Sequence, residues 1–306
     1  MSREAQLFEQ LHFQENGTDY LKLCLDVTVY WVGSVFDQVE GVLDFYGQSM
    51  EFLRDHIRFY VTETMGDAEP VRDDTAELLP FWLRTRHRRE IYILRLESAA
   101  NPHASSDRSF EFRALEFQSP PRGALRLVLP PDLISESVSP LVELARKLVR
   151  KLSFSSGHGG YAINWNKLGL LRTEARSKIP FVAGRFPGID LGDASAALYA
   201  IPNGIKRVNW LTLLNPEYCD RLGGIDVLRT ALGDGIRVYS MENGALIQAG
   251  PRPLLGDTNR QEALPHYHRV GRVLSPLRSP SHPAFIREGR VPSDDLTEQW
   301  LAWFDR

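Results

Sequence analysis

Several stretches of the chain place residue types at spacings that invite chemistry. GALIQAGPRPLLGDTNR, residues 244–260, sets glycines and prolines between an apolar run and a polar one, as a phosphate grip would. A P-loop needs G-x-x-x-x-G-K-[ST], so that backbone amides surround the phosphates and a lysine reaches their far end. Here Gly250 and Gly256 are one residue too far apart, and Asp257 stands where the lysine belongs. A carboxylate there repels the anion it would have to hold. No G-x-G-x-x-G opens a helix after a strand either, which removes a dinucleotide fingerprint. The stretch therefore reads as structural, with Gly250-Pro251 and Leu255-Gly256 as rigid turns and Asp257 or Asn259 as the cap of a following helix.

SSGHGGYAINW, residues 155–165, carries a His-Gly-Gly run similar to the oxyanion-hole loop of some esterases. Such enzymes also need a G-x-S-x-G nucleophile elbow, and Ser155, Ser156 and Ser195 all lack that context. The glycines are expected to allow close backbone approach at a strand mouth, and His158 to sit at the surface or at a cap. His266 and His268 flank Tyr267 on an expected helix, where positions i and i+2 point about 200° apart and cannot share a metal. The chain has no H-E-x-x-H. The acidic pairs Asp73/Asp74 and Asp294/Asp295 precede expected helices and suit the positive ends of their dipoles. Cys24 and Cys219, without a C-x-x-C, suggest neither a disulfide framework nor structural zinc. The expectation is no catalytic residue, no cofactor and no metal.

The elements that would position these groups follow from periodicity. Leu21, Leu23, Leu25, Val27, Val29 and Trp31 alternate with Lys22, Cys24, Asp26, Thr28 and Tyr30, the pattern of a half-buried strand. Ser34 and Asp37 resemble a capping box, and Val35, Val39, Val42, Leu43, Tyr46, Met50 and Leu53 then form a helical stripe. Period two returns at residues 57–61, 90–96, 109–117 and 125–129, and the short connections between the last three predict antiparallel pairing. A short helix is expected between 70 and 88. From Val138 to Leu152 the spacing gives the clearest amphipathic helix, its outer face carrying Arg146, Lys147, Arg150 and Lys151, which reads as a solvated face.

The second half predicts strands near 158–165, 206–214 and 235–249 and helices near 216–232 and 262–277. A final helix opens at Ser293, with Leu296, Trp300, Trp303 and Phe304 on one side, and docks on the body because rings of that size are costly to leave wet. The expected architecture is one composite α+β domain with a mixed or largely antiparallel sheet and helices packed on it. Its expected parts are an N-terminal segment at 1–17, the main domain at 18–278, and a Ser/Pro-rich connection with the docked helix at 279–306.

The 306 residues are 43% hydrophobic and 25% charged, the composition of an ordinary globular chain. A net charge of −3 disfavours a nucleic-acid binder. The N-terminus has no secretory signature, and the longest apolar run is broken by Asp26, so a cytoplasmic protein with no membrane partner is expected.

Three blocks in order carry a family resemblance: FVAGRFPGID (181–190), VNWLTLLNPEYCDRLGGIDVLRTAL (208–232) and ALIQAGPRPLLGDTNRQEALPHYHRVGRVLSPLR (245–278), with HGGYAINW (158–165) ahead of them. Over roughly residues 155–278 the chain resembles the type VI immunity family of bacterial proteins, and the first half fits more by layout than by words. The resemblance implies binding rather than catalysis: neutralisation of a cognate toxin of the type VI secretion system by direct contact in the cytoplasm, with no family catalytic residue to carry over. Trp82, Tyr199, Tyr239 and Arg252, where exposed, are the contact candidates, since interfaces favour aromatic and arginine anchors. The alternative is an enzyme, a hydrolase reversing a toxin's modification, built on a His/Asp site around His158 or His266.

Overall fold

The alternation between Leu21 and Trp31 is the middle of a 15-residue strand, β2 (Thr18–Val32), in a computed structural model that describes residues 9–87, 89–167, 170–192 and 194–306. Around it an eleven-stranded sheet is completed by β1 (Phe13–Glu15), β3 (Phe59–Thr62), β4 (Glu69–Pro70), β5 (Ile91–Glu97), β6 (Ser109–Leu115), β7 (Arg122–Leu129), β8 (Ser156–Trp165), β9 (Leu211–Leu214), β10 (Ile236–Met241) and β11 (Gly244–Ala249). The strand order is β10-β11-β9-β8-β2-β7-β6-β5-β3-β4, with β1 paired to β2 off that path. β2 pairs antiparallel with both β7 and β8. The antiparallel sheet and α+β class match the expectation.

Nine helices are formed among the described residues: α1 (Val39–Leu53), α2 (Leu78–Arg84), α3 (Ser139–Val149), α4 (Arg172–Arg185), α5 (Ala194–Ala197), α6 (Pro216–Arg221), α7 (Ile225–Leu232), α8 (Pro265–Leu274) and α9 (Asp294–Leu301). The odd-numbered side chains of β2 meet a large apolar core to which α1 and α3 contribute Phe45 and Leu148. None of the described helices is long and apolar enough to cross a membrane.

The half-buried reading of β2 is corrected. Its even face is sealed as well: Asp26 is fully buried and Thr28 and Tyr30 nearly so. Loop 98–108 lies on that face through hydrogen bonds from Asn164 to Ser106 O (2.8 Å) and from Asn166 to Ala104 O (3.3 Å). The alanines of α5 pack there against Tyr30, Leu115 and Ala124. Alternation of chemistry survives, but the polar side looks into a second layer instead of into water.

The helix expected over 216–232 is two, because Gly223 (φ +90°) and Gly224 (φ +93°) turn the chain out of the helical region between α6 and α7. At 262–277 the helix is shorter, with a single 3-10 turn over Ser275–Leu277 following α8. Both ends of the sheet are blunted, as edge strands require. β4 is two residues ending in Pro70, and the Arg229 guanidinium of α7 reaches Val238 O of β10 at 3.4 Å. The last helix docks as expected: Ser293 Oγ accepts the Leu296 N–H, and Trp300 and Phe304 are buried. The Arg207 guanidinium lies 3.8 Å from the Trp300 ring centre.

Candidate functional site

Strand register brings the titratable side chains of the sealed face together. Thr28 of β2 stands opposite Arg126 of β7 on one side and His158 of β8 on the other, with Asp26 one step along the same face. Gly160 faces Asp26 at φ +142°; a Cβ there would come within 3.0 Å of Asn209 Oδ1 and 3.1 Å of Trp210 Cβ, so only glycine leaves the space. Asp190 enters from segment 186–192, which lies beside β8 through an Ile163 N–H to Asp190 O bond (2.8 Å) and an Asp190 N–H to Tyr161 O bond (2.9 Å).

Asp26, His158 and Asp190 thus converge with almost no solvent exposure. His158 Nε2 lies 3.5 Å from Asp190 Oδ2 and 4.0 Å from Asp26 Oδ2. Lys206 Nζ sits on both Asp190 oxygens at 3.0 and 2.8 Å, and the Gly192 N–H donates to Oδ1 at 2.7 Å. Arg126 Nε donates to Asp26 Oδ2 at 2.8 Å, and Thr28 Oγ1 to the same oxygen at 3.2 Å. Burial alone would raise the Asp190 carboxyl, but Lys206 and then His158 outweigh it and hold it well below the usual range.

The network continues across the sheet at Glu111 of β6. Burial opposes its charge too, but Lys167, Arg113, Arg95 and Arg126 bring its pKa down to about 2. Asp26 Oδ1 and His158 Nε2 have no hydrogen-bond partner among the described residues.

Asp26, His158 and Asp190 each offer a ligand atom, all within 4.8 Å of one another, a spacing that could hold a metal ion. The charges argue against that use. Arg126 and Lys206 already neutralise the two carboxylates, so a divalent ion would leave two uncompensated charges in a dry interior. As an acid-base centre the trio is likewise enclosed, since a reacting molecule needs a concave opening and these side chains are no more than 3% exposed. The surface or capping place expected for His158 is corrected: β8 is a central strand covered on both faces, so its histidine is internal.

The loop at 244–260 is a joint. Gly256 takes φ +74° with Leu264 Cδ1 2.5 Å from where a Cβ would be. Asp257, fully buried, caps the 3-10 turn Thr258–Arg260 by accepting the Asn259 N–H, and it receives Arg185 Nε and Nη2 at 3.0 Å each. These Arg185 bonds, against the cost of burial, lower its pKa. Gly188 completes the joint, its N–H donating to Leu255 O at 2.9 Å.

The four contact candidates scatter. Trp82 is buried at 3% exposure, with the Arg89 guanidinium 4.5 Å from its ring centre, so it offers no surface itself. Tyr199 is 50% exposed. Tyr239 lines a cleft of about 550 Å³ between α3 and the β10–β11 hairpin, together with Val142, Glu143, Arg237, Gln248 and Pro251. Arg252, at the far end of Pro251, donates to Ile134 O at 2.9 Å. His266 also borders this region: Cβ atoms at Gly235 and Gly250 would lie 2.5 and 2.9 Å from its ring nitrogens. Sequence reasoning missed Asp26, Asp190, Lys206 and Arg126 as a group, because 179 intervening residues separate its first and last members. The one available signal was an ionisable residue in the middle of an apolar strand, Asp26.

The family model described as TsiV, type VI immunity for VRR-NUC, matches residues 44–304. A search of curated proteins finds no match. Among solved structures the chain is similar to the Pseudomonas aeruginosa T6SS protein PA0821, with a TM-score of 0.79 and 22% identity over 99% of this chain and 90% of that one. At that identity the likeness speaks for the fold.

Proposed function

The chain belongs to the TsiV family of type VI immunity proteins, and from that premise we propose that it neutralises a VRR-NUC nuclease toxin by direct protein–protein contact in the cytoplasm, without itself acting as an enzyme. The observation that carries the reading is the sealing of the Asp26–His158–Asp190 group. This strongest acid-base cluster is internally neutralised and closed to any molecule outside, so the surface is left to do the work. Such a contact buries about 1,000 Å² or more around a few aromatic or arginine anchors. Of these Tyr199 is exposed and Tyr239 is half-buried in the cleft wall, whereas Trp82 is buried.

The enzyme reading keeps one supporting observation, the two carboxylates within 3.5 and 4.0 Å of His158 Nε2. The test is co-expression of the toxin with wild type or His158→Gln, followed by pull-down and by survival counts. A stable complex and full protection from a folded His158→Gln support binding. Protection without any complex, lost in folded His158→Gln, would replace binding by catalysis.

A further inference from the structure

Helix α2 ends in a hydrogen-bonded reversal in which the His87 N–H reaches Trp82 O at 3.0 Å and the Arg86 N–H reaches Leu83 O at 3.3 Å. That pattern places Arg86 at the left-handed turn position, φ +48°, which helices usually give to glycine. An arginine there costs stability relative to glycine, and such strain collects where a side chain has work to do.

Its guanidinium lies 5.7 Å from the Phe36 ring centre. Phe36, Arg89, Glu90 and Glu116 line one shallow recess of about 360 Å³, and the Phe117 N–H donates to Glu90 O at 3.2 Å. The Phe81 and His87 rings lie tilted to each other with centroids 6.4 Å apart. The two phenylalanines are 56% and 49% exposed, Phe81 the more so.

The charges of this corner are unevenly committed. Arg89 is paired with Glu63, and Glu116 is occupied by the Ser34 hydroxyl (2.7 Å) and the Val35 N–H (2.9 Å). Arg84, Arg86 and the exposed Glu90 have no ion-pair partner among the described residues, so uncommitted guanidinium groups outnumber the uncommitted carboxylate there. Exposed rings interleaved with uncommitted guanidinium groups, and no lysine between 81 and 90, are the composition of an interface centre.

We propose that this corner is the toxin-docking surface and that its occupant is the carboxylate-bearing centre of the nuclease toxin, an assignment that rests on the binding function proposed above. The charges choose the occupant. A nuclease's substrate face is cationic, to hold phosphates, and repels Arg84 and Arg86, whereas carboxylates that carry a catalytic divalent ion are its complementary anionic feature. The arginines take the place of that ion, and the two phenylalanines exclude water around them.

The test is titration of purified, catalytically inactive toxin into the full chain, with melting temperature measured alongside. Arg86→Gly is expected to keep or raise the melting temperature while weakening binding at least about tenfold, and Arg84→Glu/Arg86→Glu to weaken it further. Val227→Ser, at an exposed position on α7 by the β10 edge, serves as the control that leaves affinity unchanged. If wild type binds the toxin while both arginine variants match it within about twofold, the corner is not the docking surface, though the binding function stands. Loss of binding in Tyr239→Ala alone has the same consequence. Absence of any wild-type complex overturns the binding function itself. Binding of a labelled DNA duplex by wild type, abolished in Arg84→Glu/Arg86→Glu, overturns the choice of occupant.

Discussion

Replacing Lys206 by methionine keeps the length of the side chain and removes the charge that makes Asp190 tolerable in the interior. Breaking one partner out of a buried pair costs about 3–5 kcal/mol because the other charge is left uncompensated. The carboxyl can escape by protonating, which limits the cost. From an ordinary value near 3.9, at about 1.36 kcal/mol per unit, the limit is about 4 kcal/mol at pH 7 and about 1.5 kcal/mol at pH 5. At about 2.1 cal/mol/K per residue, the chain should lose about 6 °C of melting temperature at pH 7 and about 2 °C at pH 5.

The sign follows from linkage. In wild type the folded carboxyl is depressed, so its contribution is present above the unfolded pKa and is lost only in acid, as pH falls through the folded value. In Lys206→Met the folded pKa is raised, so stability falls as pH rises from 4 to 7. Thermal melts of both proteins across that range, by circular dichroism, provide the measurement. Adding Asp190→Asn to Lys206→Met should restore most of the loss, since no orphan charge remains and the amide oxygen can still accept the Gly192 N–H. A loss independent of pH, or one below about 1 kcal/mol at pH 7, would refute the account of the cluster as a closed, self-neutral network.

Two further outcomes test the joint at 244–260. Gly256→Val forces a branched side chain into φ +74° and against Leu264, so it should lower the melting temperature by several degrees or leave the chain insoluble; neutral folding would end the structural reading of the loop. Asp257→Asn removes the acceptor charge for Arg185 and should cost about 2 kcal/mol at pH 7. Because the folded Asp257 carboxyl is depressed, chiefly by Arg185, the deficit should shrink only below about pH 4, as wild type loses the same interaction. Urea unfolding at pH 7 and pH 3 distinguishes this pattern from that of Lys206→Met, whose deficit already shrinks between pH 7 and pH 5.

The periodicities that were legible are those a single element imposes on itself. The alternation through Leu21–Trp31 and the stripe from Val138 to Leu152 each need only one strand or one helix, and both appear where their spacing put them. What alternation could not say is whether the polar face of β2 meets water. That depends on loop 98–108 and segments 186–192 and 194–209 folding over it, a tertiary fact with no period. His158 shows the cost: close backbone approach is found beside it, where a Cβ on Gly159 would lie 3.1 Å from Asp26 O, but within β8 and not at a strand mouth, and the direction of the histidine depended on partners from β2 and from residues 190 and 206.

The sequence blocks behind the family resemblance turn out to be pieces of shared joints. Arg185 of RFPGID grips Asp257 of GDTNR, and Asp190 of the first block stands beside His158 of HGGY. These words are recognisable because each is half of a buried contact: a residue that must match a charge inside the protein has few alternatives, since an unpaired charge there costs several kcal/mol. A surface anchor is under no such internal constraint. Phe81, Arg84 and Arg86 answer to a partner absent from the chain, so nothing elsewhere in the sequence spells their purpose. The signal they do leave is a local misfit, an arginine where the helix ending favours glycine. Residues that violate local preference without a buried contact to explain them are therefore the place to search this chain for its toxin, and the corner above Trp82 is where that search leads.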